Sequence, residues 1–409
     1  MRRISCLIAF MLLLGLLPGR AEIDLSPAAS PEPTAPPLTL APISAAPLED
    51  GSPLRADCAA LLLMEAESGQ IIFEMNADSP RPVASVTKVM TILLTLEQLD
   101  AGRLSKDDPI TISKTAAGMG GSQILLDVGE RQSVSTLLKT MIVGSANDSA
   151  VALAEAMFGS EELCAQAMNR RAEELGMTGT HFVNCTGLPA DGQHTTARDV
   201  AIMARQTFAH ETYFDYSTLW MENIDHGDGR VTQLVNTNKL LRLYDGCDGG
   251  KTGSTNEAGY CVAATARRGG MRLIAVVLGA KSGAERFEIA EKMFDYGFAN
   301  YRLYPVAARG TRVRGELPVT GGERAGVALM LDSDLALLIP KGGEQDVRLV
   351  PDLPEALPAP ILPGQQVGSV TVNMSGKTVA EIPVVACEGV ADTGFPSLWR
   401  RIWSRWTAL

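Results

Sequence analysis

Strand-like segments stand at both ends of one long stretch of this chain, with helical patterns between them, so the backbone must leave a sheet and later return to it. Ala59 to Met64 and Gln70 to Glu74, separated by Ser68-Gly69, read as a β-hairpin. Gly259 to Ala266 and Met271 to Leu278 are again strand-like and are joined by the turn signal Arg267-Arg268-Gly269-Gly270. Between them, helical spacing recurs at Ser133 to Val143, Asp148 to Phe158 and Ser160 to Leu175, and Thr196 opens another helix with Asp199 three residues on. Glu285 to Phe298 closes the region as an amphipathic helix. This order predicts a mixed sheet covered by helices.

The helix that follows the first hairpin carries the chemistry. Val86, Val89, Met90, Leu93, Leu94 and Leu96 recur at helical spacing, which sets Ser85 at or just before the helix start. Lys88 lies about one turn on, so its amine can share a face with the Ser85 hydroxyl. Serine is also a common N-cap and lysine a common surface charge, and a Ser-x-x-Lys tetrad is expected roughly once by chance in such a chain. A cation in the first helical turn, however, opposes the helix dipole and calls for another explanation.

Two later segments supply it. Gly144-Ser145-Ala146-Asn147-Asp148 falls between helical patterns, which puts Ser145 and Asn147 on a connecting loop. Gly249-Gly250-Lys251-Thr252-Gly253-Ser254 runs into a strand-like region, where glycine lets another backbone approach closely. A Lys-Thr-Gly triplet alone is expected in roughly one chain in ten of this size. The ordered set of helix-start Ser-x-x-Lys, loop Ser-x-Asn and strand Lys-Thr-Gly is far rarer, and it resembles the signature of penicillin-binding proteins and class A β-lactamases.

Within that superfamily the chain is similar to the low-molecular-weight serine D-alanyl-D-alanine carboxypeptidases, peptidase family S11. The similarity rests on Val83 to Thr91, Met141 to Glu155, Met168 to Asp199, Asn236 to Leu241 and Gly249 to Ser254. It implies a β-lactamase/transpeptidase-like α/β catalytic domain over residues 54–300, with helices around an antiparallel sheet. The resemblance implies that Lys88 activates Ser85 for attack on the carbonyl between two D-alanines. The backbone amides of Ser85 and Ser254 would form the oxyanion hole, with Gly253 beside them. Ser145 would pass a proton to the departing amine, Asn147 would hold the substrate amide, and Lys251 with Thr252 would bind the terminal carboxylate. For Lys88 to act as base, burial and a neighbouring cation, Lys251, must favour its neutral form. The implied partners are a peptidoglycan stem pentapeptide ending in D-Ala-D-Ala and β-lactam antibiotics as inhibitors. No metal or organic cofactor is required, and His181, His194, His210 and His226 form no zinc-binding motif. In this family the residue after Lys-Thr-Gly varies, and here it is Ser254.

The ends of the chain read differently. Met1-Arg2-Arg3, the apolar run Ile4 to Leu17 and small residues up to Ala21 have the layout of a signal peptide over residues 1–21, which predicts an extracytoplasmic protein. Residues 22–53 are rich in proline and alanine and read as a disordered linker. From 301 to 391 the segments Thr311 to Val319, Val327 to Leu331, Ala336 to Ile339, Val347 to Val350 and Val367 to Asn373 suggest a small β-sandwich. In residues 392–409, Phe395, Trp399, Ile402, Trp403 and Trp406 fall on one helical face, opposite Arg400, Arg401 and Arg405. That pattern predicts an amphipathic helix lying on a membrane surface. The net charge of −11 argues against nucleic acid as a partner. Seven cysteines without a Cys-x-x-Cys pair suggest isolated thiols.

Rival readings share the motif trio. A class A β-lactamase needs a carboxylate that activates the deacylating water. Glu161, Glu162, Glu173 and Glu174 read as solvated helix faces. A transpeptidase or endopeptidase would use the same serine with another acceptor or donor, and a wall-binding scaffold would keep the fold without turnover.

Overall fold

The structure is a computed structural model that describes Leu54, residues 56–394, Trp399 and Trp403. The expected signal peptide, the linker up to residue 53 and the tail helix, apart from its two named tryptophans, lie outside the described residues.

The hairpin β1 (Ala60–Glu65) and β2 (Ile71–Met75) leads through a 3-10 turn, Ala84–Thr87, into α1 (Lys88–Asp100). Next come β3 (Pro109–Thr111), α2 (Lys114–Ala117), β4 (Arg131–Ser133), α3 (Val134–Val143), α4 (Asn147–Phe158) and α5 (Glu161–Glu174). They are followed by α6 (Ala197–Thr207), α7 (Glu211–Ser217), β5 (Met221–Asp225), β6 (Val231–Val235) and α8 (Leu240–Leu243). β7 (Cys247–Thr255), β8 (Gly259–Arg268), β9 (Met271–Ala280) and α9 (Glu285–Asn300) complete the catalytic region. Side-chain caps fix several helix starts: Ser133, Ser160 and Thr196 accept from Thr136, Leu163 and Asp199 amides.

The five-stranded antiparallel sheet runs β2-β1-β9-β8-β7, so the first hairpin and the last strands meet at the β1–β9 ladder. The alternation of strand side chains explains the near-continuous apolar runs. Ala60, Leu62 and Met64 of β1, with Ile274, Val276 and Leu278 of β9, enter the core beneath the helices. Leu61 and Leu63, with Leu273, Ala275 and Val277, enter a second core under Phe287, Met293 and Phe294 of α9. The sheet is therefore covered on both faces. Among the described residues its edge strand β7 is paired only with β8.

The region after α9 is all-β. A two-stranded sheet, Tyr301–Ala307 with Leu335–Pro340, and a six-stranded sheet share one core that includes Leu337, Ile339, Val327, Val372, Ile382 and Val384. The strands Tyr301–Ala307 and Lys377–Ala386, and the hairpins β3–β4 and β5–β6, were not anticipated from the sequence. Leu338 crosses into the α9 core, and its amide donates to Gln70 Oε1 at 2.8 Å, which ties the β region to the catalytic sheet. The six described cysteines are free thiols.

Candidate active site

Three short elements converge on the edge of β7. The 3-10 turn Ala84–Thr87 presents Ser85, so the nucleophile candidate precedes α1 by a tighter turn than a plain helix start. Ala84 has φ 49°, an unusual conformation for a residue with a side chain. It is held there because Gly187 lies against it: a Cβ on Gly187 would stand 2.0 Å from the Ala84 carbonyl oxygen. From the other side, a Cβ on Gly253 would stand 2.6 Å from the Val83 oxygen and 2.8 Å from the Ser85 nitrogen. The glycine of Lys-Thr-Gly is thus required by backbone-to-backbone approach.

Lys88 is fully buried, and its Nζ donates to Ser85 Oγ at 2.9 Å and to the Thr186 carbonyl at 2.7 Å. Burial pulls its amine down to about 7, opposed by its interactions with Cys185, Asp148 and Glu161. Near neutral pH a large fraction is therefore uncharged and able to accept a proton.

Lys251, 1% exposed, donates from Nζ to Ser145 Oγ at 2.8 Å and to the Thr252 carbonyl at 2.8 Å. Its proton affinity lies well below that of an ordinary lysine, first through burial and then through the nearby Lys88 and Arg286 cations. From the sequence, a neighbouring-cation effect is expected at Lys88. In the structure it falls on Lys251, and desolvation is the main effect on Lys88. Ser145 sits on its loop with φ 65°, again a strained backbone at a candidate site residue.

Asn147 does not lie on the loop as expected: it opens α4, its amide donating to the Ser122 carbonyl at 2.7 Å. Its Nδ2 donates to the Gly120 carbonyl at 2.6 Å, while its buried Oδ1 has no partner. A ligand N–H would satisfy that oxygen. Thr252 donates to Thr237 Oγ1 at 2.8 Å, and Ser254 is exposed at the mouth of the site.

Other participants carried no recognisable signal. Thr186 contributes only a backbone oxygen. Arg286, inside α9, donates to the Gly253 and Cys261 carbonyls and so braces β7 and β8 beside Lys251. Glu161 departs from its expected solvated face: it is half-buried, accepting from the Cys185 amide at 3.2 Å and the Cys185 thiol at 3.3 Å. The start of α5 packs on the 184–187 turn, which removes this carboxylate from water. Glu162, Glu173 and Glu174 are exposed as expected. His194 makes a structural bond from its ring to the Gly192 carbonyl.

The arrangement gives a hydroxyl paired with a partly neutral amine, and a second hydroxyl paired with a second amine, on either side of one strand edge. Comparison with known proteins agrees with that chemistry. Residues 48–282 match the D-alanyl-D-alanine carboxypeptidase family, and residues 301–392 match the penicillin-binding protein 5 C-terminal domain. The D-alanyl-D-alanine carboxypeptidase DacF of Bacillus subtilis is 37% identical over 90% of this chain and 96% of its own. Penicillin binding protein 5 from Haemophilus influenzae superposes with a TM-score of 0.74 at 29% identity, covering 83% of this chain and 98% of that one. Penicillin-Binding Protein D2 from Listeria monocytogenes, solved in its ampicillin-bound form, superposes with a TM-score of 0.54 at 33% identity over 60% of this chain and 99% of that one.

Proposed function

We propose a residue-level mechanism for a chain that belongs to the D-alanyl-D-alanine carboxypeptidase family. It is a penicillin-binding serine hydrolase that removes the terminal D-alanine from peptidoglycan pentapeptides. The observation that carries the mechanism is the 2.9 Å bond between Lys88 Nζ and Ser85 Oγ inside a water-poor pocket.

The terminal carboxylate of the peptide pairs with Lys251, with Thr252 beside it. Neutral Lys88 takes the Ser85 hydroxyl proton as Oγ attacks the carbonyl carbon between the two D-alanines. The backbone amides of Ser85 and Ser254, drawn together by Gly253, stabilise the oxyanion. As the C–N bond breaks, the Ser145 hydroxyl gives its proton to the departing nitrogen, and the proton gained by Lys88 replenishes Ser145. Asn147 Oδ1 accepts from the N–H of the penultimate residue. Water then cleaves the ester, returning a proton to Ser85 Oγ. Penicillin follows the acylation half of this route and remains attached.

Ser85→Ala is expected to abolish both D-alanine release and covalent labelling by a fluorescent penicillin. Mass spectrometry that located the adduct on another residue would overturn the assignment.

The finer localisation rests on sequence. Residues 1–21 act as a cleaved signal peptide, residues 22–53 as a spacer, and residues 392–409 as a peripheral anchor on the outer face of the cytoplasmic membrane. Trp399 and Trp403 are helical and 58% and 62% exposed, which supports an unburied aromatic face. Among the described residues no helix is long and apolar enough to cross a membrane. Removal of residues 395–409 is expected to abolish flotation with anionic vesicles, and retained flotation would sink the anchor.

A further inference from the structure

Two clefts adjoin at the end of β7, beyond Ser254, and share Thr255 and Glu257. The first, of about 640 Å³, begins at Val83 and Ala84 beside Ser85 and carries the carboxylates of Asp191 and Glu257, with no basic residue in its wall. The second, of about 580 Å³, carries Arg81 and Lys281. Lys281 is ion-paired with Asp57, whereas among the described residues the side chains of Arg81, Asp191 and Glu257 make no hydrogen bond or ion pair. Three unpaired charges, two negative and one positive, thus stand at the edge of two joined clefts that open next to the nucleophile.

Their place relative to the reaction follows from the strand. An extended peptide lying along the free edge of β7, with its carboxylate on Lys251 and its scissile carbonyl at Ser85 and Ser254, runs antiparallel to the strand. At roughly 3.3 Å per residue, the residue before the two D-alanines reaches the level of Thr255 to Glu257. In a stem peptide that residue is a diamino acid.

We infer that these clefts recognise the side-chain end of that residue, and that they fit a diamino acid whose far end bears both a free ammonium and a carboxylate, as in 2,6-diaminopimelate. The ammonium meets Asp191 and Glu257, and the carboxylate meets Arg81 across Glu257. Lysine satisfies only the first cleft. A side chain whose amine is acylated, as in a cross-linked stem, loses its charge and leaves both carboxylates unanswered. The enzyme is thereby directed to stems that are not yet cross-linked. This inference rests on the serine mechanism above and specifies its substrate.

The test uses three synthetic pentapeptides that differ only at the third position: 2,6-diaminopimelate, L-lysine and Nε-acetyl-L-lysine. D-alanine release is measured for the full chain, and kcat/KM is expected to fall about fivefold at each step of that series. Arg81→Ala is expected to bring the diaminopimelate-to-lysine ratio to near one, with Arg81→Lys restoring part of it. Asp191→Asn combined with Glu257→Gln is expected to erase the lysine-to-acetyl-lysine ratio. Because each variant is judged by a ratio between substrates, a general loss of activity does not imitate the result. Equal kcat/KM for all three peptides in the wild type would overturn the inference, as would ratios that survive in the variants. Failure of the serine mechanism is separately visible, as absence of a benzylpenicillin adduct on Ser85 in the wild-type protein.

Discussion

In the proposed mechanism Lys88 serves as base because it is dry, and the sign of its pH dependence follows. Its amine is held down to about 7, so acidification converts the working neutral form to the inactive cation. The second-order rate of Ser85 acylation by a fluorescent penicillin is expected to rise with pH up to that region. Below it the rate is expected to fall about tenfold per pH unit. Glu161 is among the negative groups that favour the charged amine, and it reaches the site through Cys185, the neighbour of Thr186. In Glu161→Gln the amine is still easier to keep neutral, so the acid limb should move to lower pH; an unmoved limb would show that this carboxylate serves only to hold the 184–187 turn. Ser85, Lys88, Ser145, Asn147 and Lys251 were legible in the sequence because their spacing within short motifs encodes their geometry. Thr186, Arg286 and Glu161 were not, because they act through backbone atoms or reach the site from separate elements that carry no motif.

At the scale of elements, the site is a fit between one strand and one turn. β7 touches the Ala84–Thr87 turn backbone to backbone, and Gly253 leaves room for nothing larger than hydrogen. Gly253→Ala should push the strand away from the Ser85 amide and misplace the oxyanion donors. Penicillin acylation is expected to slow by about a hundredfold, the scale of losing one such donor. A stopped-flow acylation rate close to that of the wild type would show that the strand yields without cost to catalysis. The sheet and the main helices were legible because β1 and β9 feed alternate side chains to two cores, leaving long apolar runs, and because Ser133, Ser160 and Thr196 announce helix starts. The β3–β4 and β5–β6 hairpins were not, since strands of three to five residues with polar outer faces have too little pattern to register.

At the scale of the whole molecule, the β region is attached through its own residues. Leu338 is 5% exposed within the α9 core, beside the Gln70 contact. Leu338→Ala is expected to destabilise the protein by about 2–3 kcal/mol. Calorimetry should show a lowered melting temperature. Penicillin acylation should be unchanged, because this core lies on the face of the sheet opposite the α1 side. The change in character after Tyr301 was readable from short alternating segments, whereas the buried seam was not, because Leu338 and Gln70 meet across 268 positions. The free edge of β7 has one more consequence. An open strand border invites copies of a protein to stack into aggregates by mutual strand addition. Here the border faces the Ala84–Thr87 turn, whose backbone stands against Gly253, so the space beside it suits a single extended chain and not the rim of another folded molecule.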